Sequence, residues 1–185
     1  MPVTQAADHS PSQIVTAFHD TLLVVMKEAK ALGTKGRYKK LAPRIEESFH
    51  LPLMTQVSAG SYWRKATKEQ SKKLVTAFSH LSISTYASQF DGYSGQSFAT
   101  RSVKPGPQNT MLVKTQILDP DSKAVDITYV TRKIKSQWRI IDVLLDNGIS
   151  ELAVRRSEYR RILKTGGIEG LIATLNAKAD QLLVN

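Results

Sequence analysis

The spacing of apolar residues changes period twice along the chain, from helical to alternating near residue 96 and back to helical beyond Ser150. Ile14, Phe18, Leu22, Val25 and Ala29 recur at three- and four-residue intervals, which marks one face of a helix. Ser10 and Pro11 suit its start, supplying a cap oxygen and a residue with no amide hydrogen to satisfy, and Gly33 to Gly36 is expected to end it. A second, basic helix is expected from Arg37 to Phe49, kinked or divided at Pro43, with a short apolar segment around Leu51 to Val57 after it. Thr67-Lys68-Glu69-Gln70 has the spacing of a capping box and opens a long helix to about Phe90. Leu74, Phe78, Leu81 and Thr85 share its apolar stripe with Tyr86 beside it, while Lys68, Lys72 and Lys73 lie on a more polar side.

Asp91-Gly92 and Ser94-Gly95 break that pattern, and three or four antiparallel strands follow between about Gln96 and Leu145. Met111, Val113, Thr115 and Ile117 alternate with Leu112, Lys114, Gln116 and Leu118; Val125, Ile127 and Tyr129 alternate with Asp126 and Thr128. Asp119-Pro120-Asp121-Ser122 supplies the turn between these two runs. Trp138 to Leu145 reads as a buried strand, Asp146-Asn147-Gly148 as a corner, and the residues beyond Ser150 as a basic helix. Asp142 lies inside that apolar strand and must be hydrogen-bonded or ion-paired if buried, because an isolated charge in a dry interior is very costly. A C-terminal helix after Gly166-Gly167 would dock through Ile168, Leu171, Ile172, Leu175, Ala179 and Leu182. The expected fold is α+β: a curved antiparallel sheet of about four strands wrapped by helices, with its apolar face turned toward them.

Composition narrows the function classes. With 185 residues, 41% of them hydrophobic, the chain suits one globular unit spanning residues 11–185 behind a disordered segment at 1–10. No run approaches the roughly 20 apolar residues of a membrane span. Cysteine is absent, which removes disulfides, thiolate metal sites and cysteine nucleophiles together. His9, His19, His50 and His80 lack the spacing of a helical zinc site and have no evident carboxylate partner, so no metal site is expected. No nucleophile elbow, phosphate-binding loop or dinucleotide fingerprint occurs, and neither catalytic residues nor a cofactor is expected. The net charge of +10 attracts anionic membranes, acidic proteins or nucleic acid over about 10 Å but does not choose among them. Nucleic-acid binding is the rival that the charge suggests, with Tyr38, Tyr62, Trp63 and Tyr93 as candidate stacking residues.

Two blocks carry a family likeness. The strand with Trp138, Asp142 and Val143 in a W-x-x-x-D-V arrangement continues into Gly148-Ile149-Ser150 and Arg156-Ser157-Glu158-Tyr159. Upstream, Tyr62-Trp63-Arg64, Thr67, Gln70 and Phe78 form a second block, with Thr85-Tyr86-Ala87 beyond it. In these blocks the sequence resembles the MlaC family, periplasmic auxiliary proteins of ABC-type lipid transport, over most residues from about 37 to 183. Arg44 to His50 departs from the family's acidic element there. The Arg-Arg-Ser-Glu-Tyr-Arg string and Gly166-Gly167 are similar to the hopanoid-associated HpnM branch.

The resemblance implies an NTF2-like, MlaC-like fold with an apolar cavity between sheet and helices. It implies a periplasmic, non-enzymatic carrier of phospholipid or hopanoid, whose export leader has been removed. It also implies an inner-membrane transport complex as partner, which hydrolyses the ATP, and an outer-membrane lipoprotein complex beyond it.

A carrier of this kind must hide acyl chain, since each methylene bared to water costs about 0.8 kcal/mol. Leu74, Phe78, Leu81, Met111, Val113, Ile127 and Tyr129 are the expected lining, although each taken singly is better explained as ordinary core, because periodic burial needs no ligand. Arg155, Arg156 and Arg160 are the expected headgroup or partner surface. In the alternative, Glu151 with Arg155 and Glu158 with Arg161 form helical ion pairs, and Arg156 and Tyr159 anchor Asp142 or the corner.

Overall fold

A computed structural model describes residues 10–184. The chain runs α1 (Pro11–Lys27), α2 (Ala29–Ser48), α3 (Leu51–Ala59), a 3₁₀ turn (Gly60–Lys65), α4 (Lys68–Gln89), strands β1 (Ser97–Gly106), β2 (Thr110–Asp119), β3 (Ser122–Ile134), β4 (Gln137–Leu145) and β5 (Ile149–Ser150), and α5 (Glu151–Val184). The expected disordered segment at 1–10 falls, apart from Ser10, outside the described residues.

Local signals decide several element boundaries. Ser10 and Gln13 form a reciprocal capping box at α1, and Thr67 and Gln70 form another at α4. His50 caps α3, its Nδ1 accepting from the Leu53 amide at 3.1 Å. A first break falls at Glu28 (φ −97°, ψ 10°), after which Ala29 opens α2, and a second falls at Gly33, within the glycine span expected to end the first helix. Gly33 interrupts helical backbone with a φ of 59° and a ψ of 176°, and the helix that resumes beyond it continues through Pro43 without dividing. The C-terminal helical stretch is likewise kinked at Gly167 (φ 62°).

The five strands form one antiparallel sheet in the order β1-β2-β3-β4-β5, the last a two-residue addition to the expected four. Directly opposed residues share a face, so the register Val113–Tyr129–Val143 and Thr115–Ile127–Leu145 defines the side turned toward the helices. Helix α1 packs against this sheet, and α4 runs along α5. The outer edge of β4 is closed by a bridge from Phe49 to Ile140, with the His50 amide donating to the Ile140 carbonyl at 2.9 Å. That bridge hangs the α2–α3 junction on the sheet.

Phe18 is fully buried where these layers meet, edge-on to Phe49, Tyr86 and Tyr129 at centroid distances of 5.0, 5.2 and 6.2 Å. The buried Arg37 holds the helical layer together: its Nε donates to the Ala87 carbonyl at 2.7 Å and its Nη1 to the Ala29 carbonyl at 3.0 Å. The guanidinium thus satisfies carbonyls on two helices, one of them in the last turn of α4, where a cation also complements the helix dipole.

Asp142 is resolved as a helix cap. Its Oδ1 accepts from the Val143 and Leu152 amides at 2.8 and 3.2 Å, and its Oδ2 accepts from the Ser150 hydroxyl. Neither Arg156 nor Tyr159 anchors it; the carboxylate stands on the first turn of α5, where free amides and the dipole favour an anion. Asp142→Ala is expected to lower stability by about 1 kcal/mol, as loss of a cap does, read as a lower urea midpoint at unchanged slope.

Candidate functional site

The inner face of the sheet and the helices do not meet everywhere. A cavity of about 310 Å³ remains between them. Ile117, Val125, Ile127, Tyr129, Val143 and Leu145 form its sheet wall. Opposite lie Ser82, Thr85, Tyr86, Gln89 and Phe90 of α4 and its cap. The α2–α3 junction supplies Ile45, Phe49, Leu51 and Met54, and the start of α5 supplies Glu151, Leu152 and Arg155. Val125 is 46% exposed although it lines the cavity, and Gln89 is also exposed, so the mouth opens beside them.

Of the expected lining, the structure places Ile127 and Tyr129 on the cavity wall. Leu74, Phe78 and Val113 lie off it in the solid core, and Leu81 and Met111 are half-buried away from it. The expected α4 stripe runs from Leu74 through Phe78 and Leu81 to Thr85 with Tyr86 beside it, and only its C-terminal end, Thr85 and Tyr86, reaches the cavity. The cavity borders Ser82, Thr85, Tyr86 and Gln89, a face whose polar members hid it. Phe49 and Met54 gave no signal either, because a residue beside a void has the same sequence signature as one beside another side chain.

The three expected surface arginines diverge. Arg155 lines the cavity, its Nη1 donating to Ser82 Oγ at 3.0 Å and its guanidinium lying 5.0 Å from the Phe78 ring centroid. Arg156 and Arg160 border a separate cleft of about 70 Å³ with Ser58, Gly60, Ser61 and Tyr62. Arg156 Nε sits 3.3 Å from where a Cβ on Gly60 would stand, and Gly60 itself has φ +59°. Among the described residues the expected ion pairs Glu151–Arg155 and Glu158–Arg161 do not form. Arg155 is drawn away by Ser82 and Phe78.

Burial sets the protonation of the polar groups near the wall. The Tyr86 phenol is pushed up to about 12, chiefly by burial, with Arg155 pulling it back and Glu151 adding to the rise. It is therefore a neutral hydrogen-bond donor at any physiological pH. Tyr129 is raised well above the ordinary phenol value by burial. Its hydroxyl meets His19 Nε2 at 2.9 Å, and the His19 ring stacks on Phe98 at a centroid distance of 4.1 Å.

Burial lowers His19 from 6.5 to about 4. Between those values the unfolded chain binds a proton that the folded one refuses, so stability falls as pH drops through that window and is unaffected above it. At 1.36 kcal/mol per pKa unit, His19 is expected to cost about 2 kcal/mol on going from pH 7 to pH 4.5. Urea titrations at both pH values should show a smaller pH-dependent loss in His19→Gln; an identical loss would refute the assignment.

His9 lies outside the described residues. His80 does have a carboxylate partner, Asp180 at 3.0 Å, a hundred residues away in sequence, and it also meets Tyr38 Oη at 3.1 Å. Tyr62 and Trp63 pack against the core; Tyr93 is exposed with the Lys27 ammonium 5.3 Å from its ring centroid. Only Tyr93 of the four candidate stacking residues is thus left open. Among the described residues no helix is long and apolar enough to cross a membrane.

Comparison with known proteins agrees with the geometry. In fold, the chain is similar to a phospholipid-binding protein from Ralstonia solanacearum, solved in complex with a phospholipid. The TM-score is 0.82 at 20% identity, over 94% of this chain and 99% of that one. In sequence, it is similar to the intermembrane phospholipid transport system binding protein MlaC of Haemophilus influenzae (strain ATCC 51907 / DSM 11121 / KW20 / Rd), 26% identical over 129 residues and 68% of this chain. The match spans 60% of the length of that relative. The model of the MlaC protein family matches residues 16–177, nearly the whole of the α+β framework described above, and the chain belongs to that family.

Proposed function

We propose that residues 11–185 act as a single lipid-binding unit that carries a phospholipid between membranes in the periplasm. In this reading it exchanges cargo with an inner-membrane ABC-type complex and an outer-membrane lipoprotein complex. The observation that carries it is the cavity, apolar on nearly every side and open at one mouth. A methylene occupies about as much room as a water molecule, about 30 Å³, so 310 Å³ receives about ten methylenes. At 0.8 kcal/mol each, hiding them from water is worth about 8 kcal/mol, enough to draw a chain from solution yet comparable with what a bilayer offers. A two-chain lipid needs more room, so the sheet and helices must part further on loading. Ile127 and Tyr129 touch the acyl chain, Leu74, Phe78, Leu81, Met111 and Val113 support the walls, and Arg155 meets the headgroup. Arg156 and Arg160, on the other side of α5, face a partner. The name of the Haemophilus influenzae relative and the phospholipid in the Ralstonia solanacearum structure support this cargo.

Solvent extraction of the purified protein followed by mass spectrometry tests the reading. About one phospholipid per chain is expected. A hopanoid in its place would move the cargo to fused-ring lipids, as the HpnM likeness suggests. Salt-sensitive retention of nucleic acid with no lipid would overturn the carrier in favour of the basic nucleic-acid-binding module.

A further inference from the structure

Glu151 and Arg155 are the two charged side chains among those lining the cavity. They stand four residues apart on α5, the arrangement in which a glutamate N-terminal to a cation ordinarily pairs with it. Here the pair is split. Arg155 is held by the Ser82 hydroxyl at 3.0 Å and the Phe78 ring at 5.0 Å, and Glu151 has no ion-pair partner among the described residues. Both are half-buried, so each charge is partly stripped of water yet still reachable from the cavity. The rise between them is about 6 Å along the helix, comparable with the short two-carbon span that separates phosphate from ammonium in an ethanolamine headgroup.

From this we infer that the cavity prefers zwitterionic over anionic phospholipid, Arg155 receiving the phosphate and Glu151 the headgroup ammonium. The inference rests on the phospholipid-carrier reading and adds a headgroup class to it. A guanidinium presents several N–H donors to phosphate oxygens, and one is already committed to Ser82. A carboxylate accepts readily from an ammonium but repels a second anion. The wall therefore carries one charge of each sign, although the chain as a whole carries +10. The two descriptions make opposite forecasts: long-range attraction by the net charge favours anionic lipid, whereas the local pair favours the zwitterion. Glu151 also lies in the first turn of α5, where a carboxylate is favourable without any ligand. The test must separate that role from headgroup binding.

Delipidated protein is incubated with vesicles of equimolar phosphatidylethanolamine and phosphatidylglycerol of matched acyl chains, re-isolated, and its bound lipids are quantified by mass spectrometry. An exposed or half-exposed charge contact is worth up to about fivefold in affinity, so the wild type should hold about five phosphatidylethanolamine molecules for each phosphatidylglycerol. Glu151→Gln should bring that ratio to about one or invert it, and Arg155→Gln should lower the loading of both lipids. Urea midpoints measured alongside report the helix-capping role separately. A wild-type ratio near one, a preference for phosphatidylglycerol, or a Glu151→Gln protein that is less stable but equally selective would overturn the inference and leave the carrier standing. Failure of the wild type to load either lipid would overturn both.

Discussion

Ile127→Asp is expected to reduce phospholipid loading at least tenfold while leaving a folded protein. Ile127 sits on the sheet wall of the cavity and is 7% exposed. A carboxylate there either stays charged, facing acyl chain at a cost of several kcal/mol, or keeps a shell of water in the space the chain must fill. Each kcal/mol lost to that conflict weakens binding about fivefold, so a tenfold drop is the smaller end of the effect. The matched control is Thr128→Asp on the neighbouring, outward-facing register of β3, which is half-buried, off the cavity and paired across the strands with Lys114. Vesicle loading followed by phosphorus analysis, with far-ultraviolet circular dichroism on each variant, distinguishes them. Equal loading by Ile127→Asp and wild type would remove the cavity from the account. Phe78→Asp belongs to a different class: Phe78 is fully buried, off the cavity, beneath the Arg155 guanidinium, and this variant should fail to fold.

The second large effect falls behind the wall. Phe18→Ala is expected to destabilise the protein by about 3 to 5 kcal/mol, because Phe18 is fully buried and its ring fills the space among Phe49, Tyr86 and Tyr129. For a chain of this length that corresponds to a fall in Tm on the order of 10 °C. Those three partners all line the cavity and Phe18 does not, so the deleted ring leaves a void continuous with the binding space. The truncated protein is therefore expected to lose stability when empty and to regain part of it with lipid bound, since a ligand that binds only the folded state stabilises it by mass action. Thermal melts with and without lipid read both numbers. A loss under 1 kcal/mol would contradict the packing described here.

Much of the framework could be read from residue order because its signals are local. The Thr67–Gln70 capping box, the Asp119 turn, the alternation through Val113 and Tyr129, and the need of Asp142 for partners each involve a few neighbouring residues, and each appears as expected. The break at Glu28 was not legible, since neither glycine nor proline marks it and the left-handed turn at Lys135 and Ser136 likewise lacks glycine. The cavity was legible only in part. Periodicity reports that a side chain is turned inward, and Ile127 and Tyr129 satisfied it as well as Leu74 and Val113 did. Whether the space beyond is filled depends on how closely the helical layer approaches the sheet. Here Phe49, bridged to Ile140 far along the sequence, takes part in setting that spacing. The split of Glu151 from Arg155 was hidden for the same reason, because Ser82 and Phe78 compete for the arginine from another helix.

Photocrosslinking shows whether acyl chain lies between the sheet and the helices. Protein loaded with a phospholipid bearing a photoreactive group midway along one acyl chain is irradiated, digested and mapped by mass spectrometry. Adducts located to single residues by fragmentation are expected on the cavity wall, at Ile127 and Tyr129 of β3 and Thr85 and Tyr86 of α4. Adducts confined to the outward-facing residues of the sheet, such as Leu112 and Val130, would contradict it.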